Sequence, residues 1–199
     1  MFVMKSYYAI TVLFSLLGTG VYAQNYKTIH EQAIVADTHN DILSTAVEKK
    51  LNIDKNLTGR THSDVDRFKK GGIDVQVFSV FCDETYGKGT AFAFANREID
   101  SLYAIVARNP AKMMIVTSSD ALMEAVHQKK LACMIGVEGG HMIEDSLDYL
   151  DSLFKRGARY LTLTWNNSTD WASSAKDESA AIKENKPLKQ TGLNEFGRA

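Results

Sequence analysis

From residue 33 onward, short apolar runs alternate with segments of helical periodicity. After a first short run at 33–36, runs rich in β-branched and aromatic residues predict strands at 73–81, 113–116, 131–137 and 159–164. The segments between these runs predict helices, several of which start at a capping residue type, at 63–70, 90–108, 119–129 and 145–156. Because strand and helix alternate about five times, the pattern predicts a parallel sheet covered by helices.

Two α/β architectures fit this alternation, an open doubly wound sheet and a (β/α)8 barrel. No glycine-rich phosphate loop follows the first strand, which disfavours a nucleotide-binding sheet. The run at 131–137 is continuously apolar, as is typical of a strand buried on both faces. Residues 165–191 are polar and predict a long surface loop.

The first 23 residues have the pattern of a signal peptide. Lys5 supplies a positive charge, an apolar run follows at 7–17, and Val21-Tyr22-Ala23 is typical of a cleavage site. No later stretch is apolar enough to predict a transmembrane segment. We therefore expect signal removal at 1–23 and an exported mature protein, periplasmic or extracellular, that comprises 24–199.

Composition and net charge bear on the domain count and on the kind of molecule that the protein binds. The 199 residues are 45% hydrophobic and 24% charged, with a formal net charge of -1, which fits one globular domain. Nucleic-acid binding needs clustered Lys and Arg to neutralise phosphates, so this balance predicts no nucleic-acid partner. The sequence leaves open whether Cys82 and Cys133 are buried free thiols or a disulfide.

A first candidate ligand pair follows the first apolar run, in Asp37-Thr38-His39-Asn40-Asp41. Residues two apart on an extended backbone project to the same side, so His39 and Asp41 are expected to point together. An imidazole and a carboxylate suit zinc or another borderline divalent metal. Asp37 is in phase with them and is a candidate to orient the His39 ring through a hydrogen bond. The H-x-D spacing alone is a weak signal.

A second candidate is Glu138, which ends the apolar run at 131–137 and precedes Gly139-Gly140-His141. A carboxylate in that place must be paired or metal-bound, because a bare buried charge is costly. Pairing with an arginine or capping of a neighbouring helix are the alternatives. In a barrel the carboxyl ends of the strands face the active site, which would bring Glu138 to His39 and Asp41. His141 is expected to bond to backbone or to a ligating carboxylate, with direct metal binding as the alternative.

These stretches carry a family resemblance. The chain resembles the membrane (renal) dipeptidase family of zinc metallopeptidases through DTHND at 37–41, IGVEGGHMIEDSLDYLDSLFKRGARYLTLTWNN at 135–167 and GLNEFGR at 192–198. The resemblance implies a (β/α)8 TIM-barrel-like metallo-hydrolase fold. With about five predicted strands in the chain, the barrel is expected to be truncated.

The resemblance also implies a function, the hydrolysis of small dipeptides by a metal-activated water. It implies two Zn²⁺ ions in the full-length protein, with His39 and Asp41 on one ion and Glu138 as the catalytic bridge between them. Homodimers are common in the family. Further histidine ligands and substrate-binding residues belong to its second half, beyond Ala199, so this fragment alone is expected to be inactive or impaired.

One position departs from the family. After YLTLT many members carry a substrate-contacting histidine, where this chain has Trp165. An indole offers one N–H donor but accepts no hydrogen bond, which changes the substrate contacts that are expected there. Two other functions also fit the sequence, a different metal-dependent amidohydrolase and a non-catalytic exported binding module.

Overall fold

The structure is a computed structural model that describes residues 25–188 and 190–199. The predicted signal peptide at 1–23 lies outside the described residues. The chain divides after Ala33 into two units. In the first unit, helix α1 (Tyr26–Gln32) begins at Asn25, whose side chain accepts a hydrogen bond from the amide of Lys27. All residues of α1 are exposed.

The second unit is built on a parallel sheet of five strands, which confirms the predicted sheet. The strands are β1 (Ala36–Asn40), β2 (Val75–Val80), β3 (Met113–Ile115), β4 (Leu131–Val137) and β5 (Ala158–Leu161). β1 pairs with β2, and β2 pairs with β4 from Val75↔Ala132 to Val80↔Val137. β3 and β5 share the other edge of β4, with β3 beside its first residues and β5 beside its last.

Helices connect the strands, as the alternation predicts. They are α2 (Ile42–Glu48), α3 (Val65–Lys70), α4 (Ala91–Arg108), α5 (Ser119–His127), α6 (Leu147–Lys155), α7 (Ala175–Glu184) and α8 (Glu195–Arg198). The caps of α3 and α5 are Asp64 and Ser118, each one residue from the predicted helix start. Within the described part of the chain, no helix combines the length and the apolar character needed to cross a bilayer.

The predicted loop at 165–191 is wrong in part, because it contains the ten-residue helix α7. Ser174 caps this helix by accepting from the amide of Asp177, and Asp177 and Glu178 place negative charge in its first turn. Since α7 buries none of its residues, it has no apolar stripe, which is the main sequence signal of a helix.

The core lies on both faces of the sheet. On one face Phe78 and Ile135 pack with Ile99 and Leu102 of the long helix α4. Alternate strand residues, including Val75 and Ala132, belong to a smaller cluster with α5 on the other face. Both cysteines are buried and unbridged. A sheet covered on both faces explains why the run at 131–137 is continuously apolar.

Glu144 ties the segment after β4 to the helix layer. This segment is a 3-10 helix (Gly140–Ile143), and Glu144 follows it with a positive φ of 49°. The Glu144 carboxylate accepts from the amides of Gly89 and Phe92 at 2.6 and 2.8 Å. Thr90 makes no side-chain cap at the start of α4, so Glu144 satisfies amides there and fixes the chain that leaves β4.

Candidate metal centre

The first two candidate ligands lie at the carboxyl end of β1. His39 is on the strand, and Asp41 directly follows it at the start of α2. Asp41 makes no cap bond to the helix amides. Its Oδ1 atom lies instead 3.2 Å from Nε2 of His39. The H-x-D pair therefore presents an imidazole nitrogen and a carboxylate oxygen to the same point.

The third candidate ligand comes from the carboxyl end of β4. The amide of Glu138 donates to the carbonyl of Val80 at 3.0 Å, which continues the ladder with β2 by one residue. The chain then turns at Gly139, whose φ of 97° suits glycine. Oε2 of Glu138 lies 3.0 Å from Nε2 of His39. The structure thus brings together the three residues on which the sequence prediction depends.

The donor set fits a divalent cation. One ligand atom from each of the three residues lies within 4.8 Å of the others. An imidazole and two carboxylates are ligands that zinc binds. The side chains of His39 and Asp41 are 40% and 52% exposed, and that of Glu138 is 21% exposed, so an ion has access to them. The cluster is open on one side and supported by the sheet on the other.

Two neighbours of this cluster were not predicted from the sequence. The hydroxyl of Tyr160, on β5, lies 3.0 Å from Nδ1 of His39. The buried hydroxyl of Ser79, on β2, donates to Oε2 of Glu138 at 3.4 Å. Parallel pairing of β2, β4 and β5 places both residues on the face from which Glu138 projects. Alternation along each strand was the one signal available for them, and it does not say which strands are neighbours.

The other sequence candidates lie around the cluster. Oδ1 of Asp37 accepts from the backbone amide of His39 at 3.1 Å, whereas the His39 ring faces Tyr160. Nε2 of His141 lies 2.9 Å from the carbonyl oxygen of Cys82. Trp165 is half-buried and packs on Phe81 with ring centroids 5.0 Å apart. None of the three contributes an atom to the 4.8 Å cluster.

Two ionisable groups near the cluster have raised pKa values. Burial, together with the nearby carboxylates of Glu138 and Asp41, raises the pKa of the Tyr160 phenol. Burial raises the pKa of Glu98 to about 9, and the Asp41 charge adds to this effect. Glu98 is fully buried on α4 and accepts from the amide of Phe81 at 2.9 Å. Glu98 therefore fixes the position of Phe81, which follows β2 and packs on Trp165.

A cavity of about 790 Å³ opens beside His39 and Asp41. Its volume is within the range of small-molecule sites. Its walls are formed by the start of α2 and by residues 59–63, and they include the basic side chains of Lys49, Arg60 and His62. The candidate metal centre is therefore at the edge of a space that accommodates a small ligand.

A parallel α/β sheet with polar side chains gathered at the carboxyl ends of its strands is the arrangement of active sites in (β/α) barrel enzymes. The sequence model of the membrane dipeptidase family, peptidase family M19, matches residues 23–199. The chain belongs to this family. It is 34% identical over 167 residues to Dipeptidase 3 of Homo sapiens, an alignment that covers 82% of this chain.

Solved structures confirm the TIM-barrel-like fold class. A dipeptidase described as a family M19 metallopeptidase superposes with a TM-score of 0.69 at 18% identity, over 83% of this chain and 51% of its own. A metallopeptidase from Rhodobacter sphaeroides, liganded with a phosphinate mimic of the dipeptide L-Ala-D-Ala, gives a TM-score of 0.63 at 16% identity. That match covers 82% of this chain and 60% of the other.

The chain is shorter than its relatives. It spans about a third, 33%, of human Dipeptidase 3 and about half, 51%, of the first of these solved structures.

Proposed function

We propose that this chain carries part of the zinc centre of an exported dipeptidase. In this proposal His39 and Asp41 would hold one zinc ion, and Glu138 would be a ligand shared with a second. The observation that carries the proposal is the meeting of the three side chains, within 4.8 Å, in a chain of the membrane dipeptidase family. Zinc suits this mixed nitrogen and oxygen donor set.

Bound zinc would supply a Lewis acid that polarises a scissile carbonyl and lowers the pKa of an attacking water. The chain's own residues hold the ligand atoms in place. The buried hydroxyl of Ser79 bonds to one carboxylate oxygen of Glu138 and limits its rotation. The ladder bond from the Glu138 amide to Val80 fixes the backbone beneath it. Glu138 is the catalytic residue of the proposal, because its carboxylate would hold the zinc that supplies this chemistry.

Trp165 is the proposed substrate contact. It lies next to the turn after Glu138, since a Cβ added to Gly139 would be 3.3 Å from Cβ of Trp165. Its packing on Phe81 holds the indole at this edge of the site. The indole offers an apolar face and one N–H donor to a dipeptide, in place of the imidazole of many relatives. Asp37 and His141 support the site through backbone contacts, to His39 and to Cys82.

The remaining parts of the proposal concern the whole molecule. Residues 24–199 form part of a dipeptidase barrel domain, and the protein is exported after removal of 1–23. The sequence leaves the oligomeric state open, and the family resemblance favours a homodimer. Since the proposal assigns three ligands to this chain and two ions to the site, we expect these 199 residues alone to show weak dipeptide hydrolysis or none.

The test measures metal content and substrate class in the longest natural polypeptide that contains this chain. Mass spectrometry after purification without chelator should find one to two zinc ions per chain. Hydrolysis assays should show turnover of dipeptides and little of lactones or phosphoesters. Preference for lactones or phosphoesters would favour another amidohydrolase. Zinc content well below one per chain, with no turnover, would favour a non-catalytic binding module.

A further inference from the structure

Both ring nitrogens of His39 have fixed surroundings. Nε2 lies 3.2 Å from Asp41 and 3.0 Å from Glu138, so it is the atom turned toward the cluster. Nδ1 lies 3.0 Å from the hydroxyl oxygen of Tyr160. The Asp37 carboxylate, which the sequence suggested as the partner of the ring, accepts from the backbone amide of His39. Of Asp37 and Tyr160, only Tyr160 therefore contacts the imidazole ring through its side chain.

The position of the Tyr160 ring depends on a glycine in the neighbouring strand. Tyr160 pairs with Gly136 of β4. A Cβ built on Gly136 would lie 2.0 Å from Cζ and 2.5 Å from the hydroxyl oxygen of Tyr160. No real side chain tolerates such contacts, so the ring can lie beside residue 136 of β4 only because that residue is glycine. Because Gly136 has no side chain, the phenol ring can extend across β4 and reach His39.

The chemistry of a histidine ligand specifies what its other nitrogen needs. A nitrogen that binds a metal uses its lone pair, so a neutral imidazole bound through Nε2 carries its proton on Nδ1. That Nδ1–H needs an acceptor, and the acceptor fixes both the tautomer and the rotation of the ring. A phenol oxygen can accept this hydrogen bond while its own O–H donates elsewhere. At 3.0 Å the Tyr160 oxygen is within hydrogen-bond range.

We propose that Tyr160 is a positioning residue of the metal centre, whose hydroxyl oxygen accepts the Nδ1–H of His39 and presents Nε2 to the ion. This inference rests on the proposed zinc function. It assigns to β5 a role in a site whose ligands come from the ends of β1 and β4. It also assigns Gly136 a function, namely to leave room for the phenol ring.

The test is a zinc titration, against a competing chelator, of the longest natural polypeptide that contains this chain, with zinc alone as the probe. Tyr160→Phe keeps the ring and removes the acceptor. We expect its zinc affinity to fall about 10-fold to 100-fold, the usual cost of losing such a partner. Tyr103→Phe is the matched control, because the Tyr103 hydroxyl donates to the backbone carbonyl of Arg156 and makes no contact with the cluster. Its affinity should equal that of the wild type.

A second readout separates positioning from a general structural effect. The ¹⁵N chemical shifts of His39 in the zinc-loaded wild type should report a proton on Nδ1. In Tyr160→Phe that resonance should broaden or shift, while the melting temperature changes little. Gly136→Ala should weaken zinc binding as Tyr160→Phe does, since it displaces the same ring.

The outcomes distinguish the two proposals. Wild type that binds zinc, together with Tyr160→Phe of unchanged affinity and unchanged His39 shifts, would overturn the role of Tyr160 and leave the zinc function standing. Wild type that binds no zinc would overturn the proposed function and this inference with it. A selective loss in Tyr160→Phe with normal binding by Tyr103→Phe supports both.

Discussion

Nε2 of His39 lies 3.0 Å from Oε2 of Glu138, although 99 positions separate the two residues along the chain. The contact joins β1 and β4, which are not neighbours in the sheet because β2 lies between them. Two interstrand spacings put the two backbones about 10 Å apart. The imidazole and the glutamate side chain together close this distance above the end of β2, where Ser79 supports the carboxylate.

The length of the Glu138 side chain is therefore predicted to matter as much as its charge. Glu138→Asp keeps the carboxylate but shortens its reach by one methylene, so it should not meet His39 across β2. We expect zinc affinity at least 10-fold weaker than wild type in Glu138→Asp, and a loss of similar size in Glu138→Gln, which keeps the length of the side chain and removes its charge. Isothermal titration with zinc measures both.

The control for these variants is Glu124→Gln. Glu124 is exposed on α5, where its carboxylate accepts from Gln128, and it takes no part in the cluster. Its zinc affinity should match the wild type. Full zinc affinity in Glu138→Asp would show that zinc binding does not need the carboxylate to reach across β2 to His39. The proposed bridging role would then be wrong.

Zinc is predicted to stabilise the folded chain. A ligand that binds the native state alone adds about 2.7 kcal/mol to the free energy of unfolding at a concentration 100 times its dissociation constant. Thermal unfolding followed by circular dichroism should therefore show a higher melting temperature with zinc than with a chelator. His39→Ala should abolish most of this difference. An equal zinc shift in wild type and His39→Ala would mean that the metal binds elsewhere.

Much of the fold was predictable because its strands are strongly patterned. The run at 131–137 was predicted with the bounds that β4 has, since seven consecutive apolar residues before a charge leave little choice. The helix at 175–184 was missed because it buries nothing and so has no apolar face. The caps of α3 and α5 were each predicted one residue away from their position in the structure, since Ser63 and Asp64, or Ser118 and Ser119, are all capping types.

The candidate site was likewise predictable only in part. His39, Asp41 and Glu138 were found from motifs at the ends of strands, where a charge after apolar residues stands out. Tyr160 carries no such signal, because a tyrosine within a strand is ordinary core composition. Its contact with His39 depends on pairing between β4 and β5 and on the absence of a side chain at Gly136. Such register information is not contained in a local pattern.

The second glycine after Glu138 is predicted to be essential for packing. A Cβ on Gly140 would lie 2.4 Å from the backbone carbonyl oxygen of Leu163 and 2.4 Å from the ring of Trp171. Neither can move away easily, since one is backbone and Trp171 is buried. Gly140→Ala should lower the free energy of unfolding by about 2 kcal/mol, as expected for overpacking. Urea denaturation measures it.

Gly87→Ala is the matched control for Gly140→Ala. Gly87 is exposed, and a Cβ there would have no heavy atom within 4 Å. We expect its unfolding free energy to stay within about 0.5 kcal/mol of the wild type, as for most surface changes. Equal stability of the two variants would contradict the close packing of Gly140 against Leu163 and Trp171.

The last prediction concerns pH and the buried acid Glu98. Burial raises its pKa to about 9, from an ordinary value of 4.5. Between these values the folded state holds a proton that the unfolded state has released, so the free energy of unfolding falls as pH rises. The contribution of Glu98 is complete below about pH 4.5 and is lost by about pH 9. Its slope approaches about 1.4 kcal/mol per pH unit.

Glu98→Gln should remove this slope. The amide stays neutral at every pH and still offers an oxygen to the backbone amide of Phe81, which Glu98 holds at 2.9 Å in the wild type. With a chelator present, urea denaturation at pH 5, 7 and 9 should show the variant gaining stability over the wild type as pH rises. The exposed Glu124→Gln should track the wild type. If the Glu98→Gln and wild-type curves run parallel, Glu98 ionises in the folded protein as it does in the unfolded chain, and its burial does not hold the proton.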